Sequence, residues 1–194
     1  MPTVVENFDA MAIKNSSVQF FDNGTQKEGT KFGCVGNLGG ETTLKEIIKR
    51  CEGVEVRKIT KPEKIDLTVS AHIPVKVVRD IFGINSTDLK PGVYKYSQNS
   101  KGKEFVFTAD VIDEFEDVVK LIAFPKCSSA TGFRFTIENG ADEVAEMEVE
   151  ITAYPDEKKN LYYEAFASEL QDTNIQENWH KLFTYELVEK IPTP

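Results

Sequence analysis

Alternation of apolar and polar residues with period two dominates the chain, the mark of strands that bury one face. Ile65, Leu67, Val69, Ala71 and Ile73 fall on one side of such a strand, with Asp66, Thr68, Ser70 and His72 on the other. Phe105, Phe107, Ala109 and Val111 repeat the pattern, and Val106 and Ile112 thicken the opposite face. Val119, Leu121 and Ala123 predict a further strand, with Ile122 and Phe124 behind it. Phe133, Phe135 and Ile137 oppose Arg134, Thr136 and Glu138. Met147, Val149, Ile151 and Ala153 oppose Glu146, Glu148, Glu150 and Thr152. Turn residues separate these runs at Ser100-Lys101-Gly102, Asn139-Gly140 and Tyr154-Pro155-Asp156.

One helix is predicted near residues 74–82. Pro74 suits a first-turn position, where its missing N–H costs nothing, and Gly83 suits the C-cap. Between them Val77, Val78, Ile81 and Phe82 form a stripe at helical spacing. Residues 43–59 fit two readings: Leu44, Ile47, Ile48 and Cys51 suit a helix, Val54 and Val56 a strand, and Glu52-Gly53 interrupts either. Residues 160–166 read as a strand paired back through a turn at 156–160. Beyond it, Ile175, Trp179, Leu182 and Phe183 give a short amphipathic turn or helix, followed by an extended tail over 186–194. The pattern divides the chain into one mainly β domain, residues 1–167, and a C-terminal arm, residues 168–194.

Composition narrows the classes. A chain of 194 residues with 40% hydrophobic and 28% charged positions has enough apolar content for one folded core. Acids outnumber Lys plus Arg by 32 to 23, a formal charge of −9, which argues against a general phosphate-binding surface. No apolar run is long enough to span a bilayer, and residues 1–12 have no secretory n- or h-region, so no membrane partner is expected. Cys34, Cys51 and Cys127 are an odd, scattered set without a CxxC pair, which predicts three inert thiols and neither disulfide nor zinc.

Catalytic constellations are weak. Gly33, Gly36, Gly39 and Gly40 lack both GxGxxG spacing and a following Gly-Lys-Ser/Thr, so a loop or bulge is favoured over a phosphate cradle. His72 has no nucleophile motif near it, and His180 beside Trp179 reads as packed or solvated. Asp110, Asp113, Glu114, Glu116 and Asp117 lack the order of a calcium loop and read as a solvated turn. No enzyme activity, cofactor or metal is expected. Glu146, Glu148 and Glu150 stand out: residues two apart share a strand face about 7 Å apart. That row suits either a plain solvated face or the wet, anionic wall of a conduit, and spacing alone does not separate the two.

Four stretches follow one another along the chain: FGCVGNLGGETTLKEIIKRCEGVEV (32–56), KIDLTVSAHIPVKVVRDIFGI (64–84), LKPGVYKYSQNSKGKEFVFTADVIDEFEDVVKLIAFPKCS (89–128) and FRFTIENGADEVAEMEVEITAYPDE (133–157). In that order they resemble the major tail tube proteins of long-tailed, non-contractile bacteriophages, over about residues 32–166. The resemblance implies the tail-tube fold: two packed antiparallel sheets, a β-sandwich or half-barrel, with one flanking α-helix. It implies a structural virion protein, made in the bacterial host cytoplasm, whose six copies close into a homo-hexameric ring. Rings would stack into a tube that DNA transits without specific binding, alongside tape measure, tail terminator and tail tip proteins.

On that view Glu146, Glu148 and Glu150 face the lumen. Residues 46–59 form a long strand hairpinned to 61–73. The loop 7–30 or the stretch 33–40 reaches an adjacent ring, and Trp179, Leu182 and Phe183 anchor an arm on a neighbour or the tube exterior. Repulsion among chains at −9 each would make assembly easier in salt. The alternatives are a tube-forming ring protein of a bacterial secretion system and a carbohydrate-binding β-sandwich module using Tyr94, Tyr96, Tyr162 and Tyr163.

Overall fold

The period-two segments form a ladder in which every strand pair is antiparallel. The computed structural model describes residues 4–115, 117–137, 140 and 144–190. Among them are β1 (Ala10–Asp22), β2 (Thr25–Gln26), β3 (Thr30–Lys31), β4 (Cys34–Cys51), β5 (Val54–His72), β6 (Phe105–Asp113), β7 (Val119–Ser129), β8 (Met147–Ala153) and β9 (Tyr163–Phe166). The helices are α1 (Val75–Phe82), α2 (Thr173–Trp179) and α3 (Tyr185–Val188). One hydrogen-bonded path runs β2-β1-β6-β7-β8-β5-β4, with β3 on β1 and β9 on β7. The fold is mainly β, as the pattern predicts, and its layers are parts of one continuous sheet that is not a closed barrel.

The main core joins the two halves of this sheet. Val18, Phe105, Phe107, Ile122 and Phe124 from one half meet Leu67, Val69, Val149 and Ile151 from the other. Helix α1 adds Val77, Val78, Ile81 and Phe82, the predicted stripe. It ends at Gly83, whose φ of 69° is left-handed and whose N–H closes on the Arg79 carbonyl. The opposite face of β6 and β7 carries a second core of Val106, Leu121, Ala123, Trp179 and Phe183. Central strands buried on both faces explain why Val106 and Ile122 blur the alternation there.

Several expectations change. Residues 43–59 are strand, and the hairpin turns at Glu52-Gly53 rather than near residue 60. Both turn residues have positive φ, 51° and 84°, the tight two-residue turn that matches strand twist. Residues 34–40 form the start of β4 with a register shift at Gly36, and most of 7–30 is strand, chiefly β1. The β1 pattern is hidden because its register slips between Lys14 and Ser17, beside Asn15 at φ 52°.

Strand β9 pairs with β7, not back across the 156–160 turn. Residues 133–137 form no strand, although β7 pairs β8 only at Ile151–Ala153 and, among the described residues, no strand bonds that edge of Met147–Val149. Phe133 packs on Phe82 instead, and Phe135 and Ile137 are exposed. Helix α3 stands where an extended tail was expected. Glu138, Asn139 and Glu116 lie outside the described residues, as do 191–194.

Candidate functional site

The acidic row lies on the solvent side of the β4–β5–β8 ladder. Val149 and Ile151 point into the core, so Glu148 and Glu150 point away from it. Glu148 sits opposite Ser70, which sits opposite Asn37; Glu150 sits opposite Thr68, which sits opposite Gly39. The next rung holds Glu41, Asp66 and Thr152. Asp66 accepts from the Lys64 ammonium at 3.0 Å, from Thr152 Oγ1 at 2.8 Å and from Thr43 Oγ1 at 3.2 Å. The Lys64 bond, helped by Thr152 and Thr43, holds its carboxyl below the usual carboxylate range.

The three glutamates differ. Glu150 accepts from Arg134 Nη1 at 2.8 Å. Glu146 leans over Gly36, where an added Cβ would stand 2.2 Å from its Oε1. Glu146 and Glu148 border an open depression of about 310 Å3 that Arg134, Phe135 and Met147 also line. Among the described residues Glu41, Glu146 and Glu148 have no cationic partner.

Beyond this rung β4 and β5 continue as a two-stranded arm. Every residue from 44 to 63 is exposed. Leu44, Ile47, Ile48, Val54, Val56 and Ile59 are large apolar side chains left in water. Strand β8 stops pairing at Ile65, and among the described residues β4 has no strand neighbour on its outer edge, so both edges of the arm are open. A lone two-stranded ribbon with this much exposed apolar surface is marginal in water and marks an interaction site.

Register sorts its charges. Lys45 faces Lys61, Ile47 faces Ile59 and Lys49 faces Arg57. Directly opposed residues share a face, and β4 alternates without interruption here, so these six lie on the same side. On the other side Lys58 is bound to Glu46, a bond that raises the lysine's pKa.

The C-terminal segment is the opposite case. Trp179 and Phe183 are buried on their own chain's β6–β7 face, whereas Leu182, expected as a third anchor, is exposed. The Trp179 indole N–H donates to the Ile122 carbonyl at 3.0 Å. Gln19, fully buried, donates through Nε2 to the Trp179 carbonyl and accepts from the Phe183 N–H at 2.7 Å. Ser17 Oγ donates to the His180 carbonyl at 2.8 Å. The His180 ring bridges Thr108 Oγ1 at 2.8 Å and Asp110 Oδ1 at 2.7 Å.

Asp110 therefore belongs to a half-buried network that Asn15 completes, not to a solvated turn. Asp113 does cap a turn, accepting from the Asp117 and Val118 N–H groups. Sequence reasoning missed Ser17, Gln19 and Thr108. Their signal is polar residues alternating with buried apolar ones, Gln19 between Val18 and Phe20 and Thr108 between Phe107 and Ala109.

Other candidates separate. Tyr162 packs on Phe124 and Tyr163 on Phe183, on opposite faces of the sheet, so these two do not form one sugar platform. Among the described residues no group of His, Cys, Asp and Glu is placed to hold a metal ion, and no helix is long and apolar enough to cross a membrane. Cys127 is buried, which pushes its thiol up, whereas Cys34 and Cys51 are exposed rather than packed.

No protein-family model matches the chain, and no curated protein matches it. Two solved structures are similar at 11% identity. One is of the anti-feeding prophage cap, the tube terminating cap, with a TM-score of 0.44 over 85% of this chain and 96% of that one. The other is of the anti-feeding prophage baseplate, 6-fold symmetrised, with a TM-score of 0.42 over 85% and 97%.

Proposed function

We propose that this chain is a structural subunit of a phage-tail-like particle, completed by copies of itself that join as rings and stack into a tube. The observation that carries the reading is the arm over residues 44–63, exposed throughout, apolar on both faces and open on both edges. A chain working alone hides such edges; an assembling chain supplies its neighbour's missing strand or surface. The ordered resemblance to tail tube proteins over residues 32–166 supports a tube in particular. On this reading the chain has no catalytic work to do.

Negative-stain microscopy of the concentrated, purified protein tests it. Six-fold rings or tubes are expected. A strict monomer at every concentration, retained on a sugar column, overturns it.

A further inference from the structure

The arm's charge pattern is unfavourable in isolation. Like charges directly opposite one another destabilise a strand pair. Here two such pairs, Lys45 with Lys61 and Lys49 with Arg57, flank Ile47 and Ile59 on a single face. None of the four cations has an ion-pair partner among the described residues. In a chain of net charge −9, four clustered cations around an apolar pair are the local exception.

The complementary surface is on the same chain but out of reach. Glu41, Glu146 and Glu148 are acids without cationic partners on the β4–β5–β8 face. Ten residues of continuous strand, about 33 Å, separate Asn37, on the Glu148 rung, from Ile47, and even Glu41 stands four residues, about 13 Å, from Lys45. A β-strand does not double back over that span, so the arm cannot cover its own acids. A second copy can.

We propose that the cationic face of the arm, Lys45, Lys49, Arg57 and Lys61 around Ile47 and Ile59, docks on the acidic row Glu41, Glu146 and Glu148 of a second copy of this chain. The inference rests on the self-assembly reading and adds the partner surface. It gives the acidic row an occupant, a sister hairpin, in place of the open bore suggested by sequence. It also reverses the expected salt response: contacts between opposite charges weaken as salt rises, although net repulsion between chains eases.

Charge swapping tests this. Variant one carries Lys45→Glu, Lys49→Glu, Arg57→Glu and Lys61→Glu. Variant two carries Glu41→Lys, Glu146→Lys and Glu148→Lys. All these side chains are exposed, and circular dichroism melts check that each variant still folds. Each variant alone is expected to raise the protein concentration needed for assembly by about tenfold or more, and the combined swap to restore it.

Carbodiimide coupling of the wild type, followed by peptide mass spectrometry, should join a lysine of residues 45–61 to Glu146 or Glu148 between chains. Assembly of variant one at the wild-type concentration overturns the docking while leaving self-assembly intact, as does failure of the combined swap to rescue. A wild type that never assembles overturns both readings. Loss of duplex DNA binding in variant one, with assembly unchanged, would assign the cationic face to nucleic acid and also overturn the docking.

Discussion

The hairpin arm and the C-terminal segment are two appendages of similar length on one sheet, and they differ in where their polar groups go. The C-terminal segment brings Trp179 and Phe183 into a core, and its backbone groups at 179, 180 and 183 bond Gln19 and Ser17 from β1. Among the described residues the arm bonds only itself, strand to strand, and leaves six large apolar side chains in water. Buried side chains that complete a segment's backbone hydrogen bonds mark a contact settled within the chain, because an unpaired buried group is costly. Exposed apolar surface with open edges marks a contact waiting for another molecule.

Removing the anchor of the closed region should have the largest effect. Trp179→Ala empties a fully buried site and is expected to lower stability by about 3–5 kcal/mol in urea or thermal unfolding. Gln19→Leu should cost less, about 1–3 kcal/mol, by orphaning the Phe183 N–H and the Trp179 carbonyl. The open region should respond the other way. Ile47→Asp with Ile59→Asp is expected to change monomer stability by about 0.5 kcal/mol or less, while ring or tube formation disappears from micrographs. If that pair unfolds the monomer and leaves assembly intact, the division between the regions is wrong.

Much of the closed region is legible from sequence, and the open region is not, for physical reasons. Helix α1 and the strands through Leu67, Phe107, Leu121 and Ile151 follow from periodicity because one face of each meets the core. The arm has no core to face, so Leu44, Ile47 and Ile48 mimic a helix stripe. Only the left-handed turn at Glu52-Gly53 resolves it. The residues 133–137 alternate well and still form no strand, since alternation describes side chains and not backbone pairing, and Phe133 packs on Phe82 of α1. Trp179 and Phe183 are visible as anchors, but whether an anchor binds its own chain depends on Gln19 and Ser17, about 160 residues away.

Smaller effects sharpen the contrast. A maleimide should label Cys34 and Cys51 quickly in the folded monomer and Cys127 only after unfolding, because burial both shields that thiol and keeps it protonated. Assembly should slow labelling at Cys51, next to the arm's turn, without changing Cys127.

The smallest expected effect is at acid pH. Asp66 has a folded-state pKa below its unfolded value, so its stabilisation is present above the unfolded carboxylate pKa. It is lost as pH falls through the lower folded value. Asp66→Asn should flatten a shallow loss of stability over that acidic window, and an unchanged profile would mean the Lys64–Asp66–Thr152 cluster contributes nothing.

Hydrogen–deuterium exchange on dilute and concentrated protein compares the two regions in one experiment. Amides of residues 44–63 should exchange rapidly in the dilute monomer and become protected on assembly, while those of β6, β7 and residues 179–183 stay protected in both. Slow exchange across 44–63 in the dilute monomer, or no added protection once particles form, would contradict the claim that a sister molecule completes this arm.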